Sequence, residues 1–203
     1  ANRGDGFKIA VNALNVGRIQ LGAACLEAQR RVISISVKYA NERIQFKKPI
    51  SQFGAIKEKL ARMATTCYVG ESATYRAAND IDKKISSLKK DGLDMQKAEL
   101  KGAEEFAIEC SILKVAISED IQNTSDDGIQ IFGGMGFSAE TPMESAWRDS
   151  RIGRIYEGTN EINRMLSVGM FLKKGMKGEL DLMGAVLKCK KEIDDYGNFD
   201  EKE

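Results

Sequence analysis

Three stretches of this chain repeat apolar residues in alternating steps of three and four positions. The first runs from Val11 to Tyr39, the second from Ile56 to Ile85 and the third from Ala103 to Ile117. A repeat of about 3.5 residues places such side chains along one face of a helix, and long helices of this kind pack together as antiparallel bundles. The sequence therefore predicts an all-α fold built from long amphipathic helices.

The first stretch carries one charged residue on its apolar face. Its members are Val11, Leu14, Arg18, Leu21, Cys25, Ala28, Val32, Ile35 and Tyr39. Burying a guanidinium is costly unless it has partners. Arg18 is therefore either half of a structural ion pair or a residue that shapes the floor of a pocket, and the pattern leaves both open.

The other two stretches are more regular. The second consists of Ile56, Leu60, Met63, Cys67, Gly70, Thr74, Ala77, Ile81 and Ile85. The third consists of Ala103, Phe106, Cys110, Leu113 and Ile117, with Glu99 and Lys101 among the residues that face outward. A short polar hairpin at 88–96 connects them, and the sequence GDGFK at 4–8 reads as a turn before the first helix.

The connection between the first two helices, residues 41–55, is longer than a bundle needs. Pro49 and Gly54 break the helical pattern there, and aromatic and basic residues surround the break. Arg43, Gln45 and Phe46 offer a cation, an amide and a ring within four residues, which suits an anionic ligand with an aromatic part, such as a nucleotide cofactor. The alternative is a solvated loop in which Phe46 plugs the core.

The composition excludes several classes of function. The 203 residues have a net charge of +1, which indicates no strong attraction to nucleic acid or to a membrane surface. There is no histidine, so a histidine base and histidine-bound metals are excluded. No apolar run approaches the roughly 20 residues of a membrane span, no signal peptide is visible, and we expect no integral membrane segment.

Four widely separated cysteines, at positions 25, 67, 110 and 189, form no CxxC pair. Three of them lie on helical faces, so we expect buried, reduced thiols. The chain begins without Met and ends in a charged run, and both ends read as cuts through a longer protein.

A glycine-rich turn, Gly133, Gly134 and Gly136, interrupts the helical pattern after the third stretch. Glycine in a helix costs about 1 kcal/mol relative to alanine, so we expect the chain to leave the helix here. The turn lacks the spacing of a dinucleotide-binding fingerprint and follows no strand. It is either a tight interhelical turn or a place where a ligand approaches the backbone.

Two helix starts are predicted beyond this turn. Ser138 is a candidate N-cap for a short helix that includes Met143, Ala146 and Trp147, and Thr159 for a helix that runs to about Lys173. A final weak amphipathic piece contains Leu180, Met183 and Leu187 and is expected to be detached from the core.

Glu157, between Tyr156 and Gly158, permits two interpretations. Its carboxylate could stabilise the start of the following helix through the helix dipole. It could instead act as a general base in an aromatic pocket that a glycine leaves open to a substrate. The pattern alone does not decide between them.

Taken together, the ordered motifs are far more specific. GFK, ERIQFKKPISQF, GIQIFGGMGF and RDSRIGRIYEGTNEINR follow one another between Gly4 and Arg164. In this order they resemble the C-terminal domain of the flavin-dependent acyl-CoA dehydrogenases, over roughly Gly4 to Lys173. The similarity is greatest to the very-long-chain type, which shares the run EKLARM found at 58–63.

The resemblance implies an up-down four-helix bundle with short extra helices, which follows an N-terminal helical domain and a small β-barrel. It implies FAD-dependent α,β-dehydrogenation of an acyl-CoA thioester to a trans-2-enoyl-CoA. Glu157 matches the base that removes the α-proton, and the β-hydride passes to FAD. The main-chain N–H of Glu157 would help polarise the thioester carbonyl.

The resemblance also assigns binding residues. Those expected to contact FAD are Arg43, Gln45, Phe46, Phe53, Gln130, Ile131, Gly134, Thr159 and Glu161. The residues up to Gly134 would approach the FAD of a neighbouring subunit, and the last two the FAD of their own chain. Those assigned to the acyl-CoA site are Leu14, Arg18, Tyr156 and Gly158, with Arg18 behind the site.

Two departures from the family pattern stand out. Gly17 occupies the position at which the isovaleryl and long-chain types carry their base, and glycine cannot act as one. Phe53 and Glu161 stand where several relatives have His and Gln.

The expected organisation is a bundle domain at 1–173 and an extension, or the start of a further region, at 174–203. The expected partners are an acyl-CoA substrate, an electron-transfer flavoprotein as electron acceptor, and further copies of the chain in a homodimer or homotetramer. The family implies the cytoplasm in bacteria and the mitochondrial matrix in eukaryotes. We expect the isolated chain to bind FAD weakly and to be inactive. The alternative is a non-catalytic assembly module that keeps only the fold.

Overall fold

The computed structural model describes residue 4 and residues 6–197, and most of these residues are helical. The helices are α1 (Gly6–Glu42), α2 (Gly54–Lys90), α3 (Met95–Glu105), α4 (Ala107–Phe132), α5 (Gly134–Phe137), α6 (Pro142–Ile152), α7 (Asn160–Met176) and α8 (Leu182–Gly197). Between α1 and α2, strands β1 (Ile44–Gln45) and β2 (Lys48–Pro49) form a small antiparallel hairpin, followed by a 3₁₀ turn at Ile50–Gln52.

Side-chain contacts between the helices define an up-down-up-down bundle. Gln29 of α1 donates to Thr66 of α2 and to Thr124 of α4. Arg18 of α1 meets Ser111 of α4, and Tyr39 meets Phe132, so α1 and α4 run parallel. Asn160 at the start of α7 contacts Ser118 of α4, and Lys174 near the end of α7 contacts Glu105 of α3. Helix α7 therefore runs antiparallel to α3 and α4. The predicted all-α four-helix bundle is confirmed.

The predicted apolar face of α2 is correct along its whole length. Every member is buried or half-buried, with Met63 and Cys67 deepest. The third stretch is also buried as expected, but it is not one continuous helix. Phe106, with φ −101° and ψ 24°, separates α3 from α4.

The predicted apolar face of α1 is partly wrong. Val11, Leu14 and Ile35 are exposed. The buried face of α1 mixes apolar residues such as Leu21 and Val32 with polar ones, and its buried polar members are Asn12, Asn15, Arg18, Gln29 and Ser36. Polar residues of α4 bind Arg18 and Gln29, so hydrophobicity alone does not outline this face.

Helix α4 is the centre of the bundle. It packs against α1, α2, α6 and α7, and it is buried on nearly all sides. One apolar cluster joins it to α1, α2 and α6 through Val32, Met63, Ile121, Ile131 and Met143. Burial of side chains of this size contributes about 1.5–3 kcal/mol each. The site described below is therefore built around the central, most extensively packed helix of the fold.

Two of the predicted helix boundaries need correction. Residues 6–8 belong to α1, because the helix already begins at Gly6, so the turn expected at 4–8 is wrong for these three residues. Gly4 lies in a turn, and residue 5 lies outside the described residues. Ser138 does not cap α6. Thr141 precedes the helix and Pro142 is its first residue. Proline is favoured there, because the N–H that it lacks would have no partner within the helix.

The cap at Thr159 is confirmed. Its Oγ1 accepts a hydrogen bond from the N–H of Ile162 at 3.3 Å. The helix that follows, α7, ends at Met176, so the expected domain boundary after residue 173 falls in its last turn. The division into 1–173 and 174–203 stays a prediction.

Helix α8 contains the expected last amphipathic piece. Its described side chains are exposed apart from Leu182 and Gly184, which are half-buried, and it has no extensive contact with the bundle. Leu182 lies against Gly175, so the start of α8 touches the end of α7.

Contrary to the sequence-based expectation, one helix has the length and composition of a membrane span. Residues 9–42 of α1 reach a mean hydropathy of 1.3 over an 18-residue window. The indication is weak, because core helices of soluble proteins have the same property, and α1 packs against α2 and α4.

The cysteines follow the expectation for the three on helical faces. Cys67 and Cys110 are buried, Cys25 is half-buried, and Cys189 on α8 is exposed, all as free thiols. Burial raises the pKa of Cys25 and of Cys110 to about 11, which keeps both thiols neutral near pH 7.

Candidate functional site

The segment between α6 and α7 has an unusual backbone. Glu157 and Gly158 have φ angles of 57° and 82°, both in the left-handed region. Glycine adopts this region freely, but for glutamate it is uncommon and costs about 1 kcal/mol or more. Glu157 can keep this conformation only because its surroundings enforce it.

Three buried side chains enforce this conformation by binding the carbonyl oxygens of the segment. Arg18 of α1 donates from Nε to the Glu157 carbonyl at 3.2 Å. Lys114 of α4 donates from Nζ to the Gly158 carbonyl at 2.7 Å. Asn163 of α7 donates from Nδ2 to both carbonyls, at 3.3 and 2.8 Å, and to that of Thr159 at 3.1 Å. Three different helices thus hold one short loop.

The partners of Arg18 decide between its two interpretations. Besides the Glu157 carbonyl, its guanidinium donates to Asn15 Oδ1 at 3.0 Å and to Ser111 Oγ at 3.2 Å. These partners are neutral oxygens, and no ion pair of Arg18 occurs among the described residues. Burial lowers the pKa of Arg18, partly offset by the charge of Glu157. These contacts favour a residue that supports the site over half of a structural ion pair.

A second layer of contacts supports the start of α7. Asn160, fully buried, accepts from Lys114 Nζ at 2.7 Å and donates to Ser118 Oγ and Glu119 Oε1, both at 3.1 Å. Glu119 also accepts from Arg164 at 2.7 Å, and this hydrogen bond is the main cause of the lowered pKa of Glu119. The network ties α4 to α7 directly beneath the Glu157 segment.

The carboxylate of Glu157 lies against the backbone of α1 at Gly17. A Cβ placed on Gly17 would lie 2.8 Å from Oε2 and 2.9 Å from Oε1 of Glu157. Gly17 thus leaves the space that the carboxylate occupies. Oε2 is buried, and no described residue donates a hydrogen bond to it. Thr159, rather than Glu157, caps α7 with its side chain, which disfavours the helix-dipole interpretation.

An apolar groove of about 500 Å³ lies between α1 and α6 and reaches Tyr156. Leu21, Cys25, Val32, Met143 and Ala146 are among its lining residues. Tyr156 is half-exposed, and burial is the first cause of its raised pKa, followed by the nearby Cys25 and Glu157. The groove thus brings apolar surface to the residue beside the Glu157 carboxylate.

The residues expected at an acyl-CoA site have different environments. Tyr156 and Gly158 flank Glu157 in the chain. Leu14, 40% exposed, lies one helical turn before Gly17 and Arg18 on α1. Arg18 is only 4% exposed and binds the Glu157 carbonyl from the protein interior. Their assignment to substrate stays a prediction.

The residues expected at FAD form two separate groups. Most of them lie at the end of the bundle where α1 and α4 finish. Tyr39 stacks on Phe132 with ring centroids 3.9 Å apart, and its hydroxyl donates to the Phe132 carbonyl. This contact holds the β1–β2 hairpin, which carries Arg43, and the glycine turn at the same end. Arg18 lies roughly 30 Å from Tyr39 along α1, at 1.5 Å per residue.

The hairpin presents its aromatic and basic groups to the outside. Phe46 and Lys47 form its turn with φ angles of 51° and 67°. Phe46 is 86% exposed, so it does not plug the core. It meets Phe53 edge-on with centroids 6.0 Å apart, and Lys48 Nζ lies 4.3 Å from the centre of the Phe53 ring. Arg43 and Gln45 are exposed beside them.

The glycines of this turn have two different structural roles. Cβ atoms placed on Gly133 or Gly134 would meet nothing within 4 Å, and Gly133 has a φ of 62°. A Cβ on Gly136 would lie 2.6 Å from the Ile129 carbonyl, so Gly136 serves the packing of α5. The open backbone at Gly133 and Gly134, with an exposed Gln130 beside it, fits a large group that approaches closely. Ile131 is buried in the core.

The second group, Thr159 and Glu161, lies at the start of α7 next to Glu157. Glu161 is exposed, and its own backbone N–H and the Thr159 hydroxyl lower its pKa. Exposed Arg43, two aromatic rings and an open glycine backbone fit an anionic, aromatic cofactor such as FAD. The assignment of all nine residues to FAD stays a prediction.

Sequence reasoning missed three residues of this site, namely Lys114, Asn160 and Asn163. Lys114 breaks the apolar face of the third stretch one position after Leu113, as Arg18 does in the first. That parallel is the signal that could have found it. Asn160 is the first residue of α7 and Asn163 lies in its first turn, and neither position gave such a signal.

Comparison with known proteins agrees with this architecture. Residues 4–169 match the family described as acyl-CoA dehydrogenase, C-terminal domain. A probable acyl-CoA dehydrogenase of Bacillus subtilis is 44% identical over 190 residues, which cover 94% of this chain and 32% of the relative. A mitochondrial very long-chain specific acyl-CoA dehydrogenase of Macaca fascicularis is 40% identical over 91% of this chain and 25% of the relative.

A solved structure is also similar. The acyl-CoA dehydrogenase of Bacillus anthracis complexed with FAD superposes with a TM-score of 0.89 at 46% identity, covering 95% of this chain and 33% of that one. The chain thus spans about a quarter to a third of the length of these relatives. On the match over residues 4–169, the chain belongs to the acyl-CoA dehydrogenase family and corresponds to its C-terminal domain.

Proposed function

We propose that this chain is the catalytic and oligomer-forming C-terminal domain of an FAD-dependent acyl-CoA dehydrogenase, with Glu157 as the base that removes the α-proton of the thioester. One observation carries the proposal. The carboxylate of Glu157 lies in the space left by Gly17, with one oxygen free of protein donors, beside Tyr156 at the edge of an apolar groove.

The arrangement suits proton abstraction. A general base needs an oxygen that no protein donor occupies, within hydrogen-bond reach of the proton. Arg18, Lys114 and Asn163 fix the backbone of Glu157 and Gly158, so the carboxylate starts from a defined position rather than from a mobile loop. Holding reacting groups in place in this way contributes several kcal/mol to catalysis.

The backbone of the same segment offers a second group. The carbonyls of Glu157, Gly158 and Thr159 are all bound from the protein interior, whereas the N–H of Glu157 has no backbone acceptor among the described residues. In the proposed reaction this N–H donates to the thioester carbonyl, where negative charge develops as the α-proton leaves.

FAD supplies the hydride acceptor for the β-carbon when it is bound. Within this chain, Thr159 and Glu161 lie beside Glu157, and Arg43, Gln45, Phe46, Phe53, Gln130, Ile131 and Gly134 belong to the other end of the bundle. A separation of roughly 30 Å along α1 favours two FAD molecules, one of them held with a neighbouring subunit. We therefore propose at least a homodimer, and an electron-transfer flavoprotein as the electron acceptor.

The experiment uses a full-length flavoprotein that contains this domain. Anaerobic addition of an acyl-CoA should bleach the yellow colour of the oxidised flavin and form one equivalent of the trans-2-enoyl-CoA per flavin. A full-length protein that binds no FAD, or whose flavin stays oxidised with acyl-CoAs of every chain length, would instead be the non-catalytic assembly module.

A further inference from the structure

Lys114 is a fully buried lysine at the centre of α4, with 0% of its surface exposed. Its ammonium donates to two oxygens, the Gly158 carbonyl and Asn160 Oδ1, both at 2.7 Å. The first acceptor belongs to the segment that carries Glu157, and the second belongs to Asn160, the first residue of α7. The lysine thus donates its hydrogen bonds to the loop of the proposed base and to the start of α7, and not to its own helix.

This arrangement makes the lysine sensitive to the position of the loop. Burial, followed by the charge of Arg18, lowers the pKa of Lys114, so the folded domain holds its charged form at a cost in free energy. Short hydrogen bonds from an ion to oxygen offset such a cost. They exist only while the Gly158 carbonyl points towards α4, which requires the left-handed conformation of Glu157 and Gly158.

We propose that Lys114 is a positioning residue for Glu157, acting through the Gly158 carbonyl. It is the only described side chain of α4 that binds a backbone carbonyl of this segment, while Arg18 holds it from α1 and Asn163 from α7. Without Lys114, the Gly158 carbonyl loses its contact with the central helix. The inference rests on the proposed function, because positioning is measured on the step that Glu157 performs.

Lys114 also contributes to the charge around the site. The titratable groups that act on Lys114 are Arg18 and Cys25 of α1, Glu157 of the loop and Glu161 of α7. Cys110 of α4 acts on Arg18, and Cys25 and Glu157 act on Tyr156 of the loop. The groove beyond Tyr156 adds Arg31 and Asp149. The thiol of Cys25 and the hydroxyl of Tyr156 are neutral near pH 7, so Arg18 and Lys114 are the cations behind Glu157.

The test compares Lys114→Met, Lys114→Gln and Lys174→Met in the full-length flavoprotein. Methionine fills the space without donor or charge, and glutamine keeps a donor without charge. Lys174→Met is the matched control, because Lys174 also donates to a backbone carbonyl, that of Glu105 at 3.1 Å, but far from Glu157. For each variant, stopped-flow bleaching of the flavin by acyl-CoA gives the single-turnover rate constant, and titration with enoyl-CoA gives product affinity.

The expected result for Lys114→Met is a rate constant lower by roughly 10–100-fold, with FAD content and product affinity within about threefold of the parent. Lys114→Gln should recover part of the rate. Lys174→Met should leave both the rate constant and the product affinity unchanged. A Lys114→Met rate within about threefold of the parent, or an equal loss in Lys174→Met, would overturn the proposal.

If Lys114→Met does not fold, the rate constant of Lys114→Gln decides, and a rate equal to that of the parent at unchanged product affinity would count against positioning by Lys114. Failure of the role proposed for Lys114 can be distinguished from failure of the proposed function. Failure of the parent protein to bleach with any acyl-CoA would refute the dehydrogenase itself. A parent that bleaches while the lysine variants behave like it would refute only the role of Lys114.

Discussion

Gly17→Ala places a methyl group where the carboxylate of Glu157 lies. The added Cβ would sit 2.8–2.9 Å from three atoms of that carboxylate. Ordinary non-bonded contacts are about 3.5–4.0 Å, so the carboxylate must move away by at least about 0.7 Å. The backbone cannot follow easily, because Arg18, Lys114 and Asn163 hold it.

A misplacement of about 1 Å can reduce a catalytic rate by about 100-fold, which corresponds to about 2.7 kcal/mol of activation free energy. We therefore expect the rate constant for flavin bleaching by acyl-CoA to fall by roughly 10–100-fold in Gly17→Ala. FAD content should be largely kept, because Gly17 lies far from the β1–β2 hairpin and the glycine turn, which carry most of the residues assigned to FAD. Stopped-flow measurement on the full-length flavoprotein provides the rate.

The control is Gly169→Ala on α7, where an added Cβ would meet nothing within 4 Å. Both substitutions raise helix propensity by about 1 kcal/mol, so the control should be slightly more stable and equally active. If Gly17→Ala bleaches within about threefold of the parent rate, the carboxylate does not need this space, and the geometric reasoning fails.

Two further predictions concern stability and thiol reactivity. The pKa of Glu119 lies below its ordinary 4.5, mainly because of Arg164, so its contribution to stability is present above about pH 4.5 and is lost as the pH falls through the lower folded-state pKa. Glu119→Gln should thus destabilise the domain by about 1 kcal/mol at pH 7 in urea unfolding and by less at pH 4, and an equal difference at both pH values would contradict this. Because burial raises the pKa of Cys25 and Cys110 to about 11, only the exposed Cys189 should react rapidly with a chromogenic disulfide reagent at pH 8, with the other thiols appearing on denaturation. Two or more fast thiols in the native chain would show that the groove or the core opens readily.

The sequence predicted the fold well where the packing is apolar. The face of α2 from Ile56 to Ile85 is buried or half-buried throughout. Its residues pack by hydrophobic contact, and the 3.5-residue repeat of apolar residues indicates such packing directly. The face of α1 was partly wrong because α1 and α4 meet through polar residues such as Gln29 and Thr124. A hydrophobic pattern does not indicate a polar interface between two helices.

The site was predictable in its parts but not in its geometry. The motif around Glu157 identified the candidate base, and the structure brings Arg18 into contact with its carbonyl. The fit between the Glu157 carboxylate and Gly17 joins residues 140 positions apart, and local pattern carries no such information. Lys114 was overlooked because a single charge in an apolar stretch looks like a defect until its oxygen partners are known.

The most direct test of the central claim replaces Glu157 by Gln in the full-length flavoprotein. The amide keeps the size of the side chain but cannot take up the α-proton. Glu71→Gln on α2, which faces Arg30 and lies outside the site, makes the same chemical change as a control. We expect Glu157→Gln to remain yellow, to bind enoyl-CoA, and to show neither bleaching by acyl-CoA nor exchange of the α-proton with deuterium oxide. Bleaching by Glu157→Gln at a rate near that of the parent and of Glu71→Gln would contradict the assignment of Glu157 as the base.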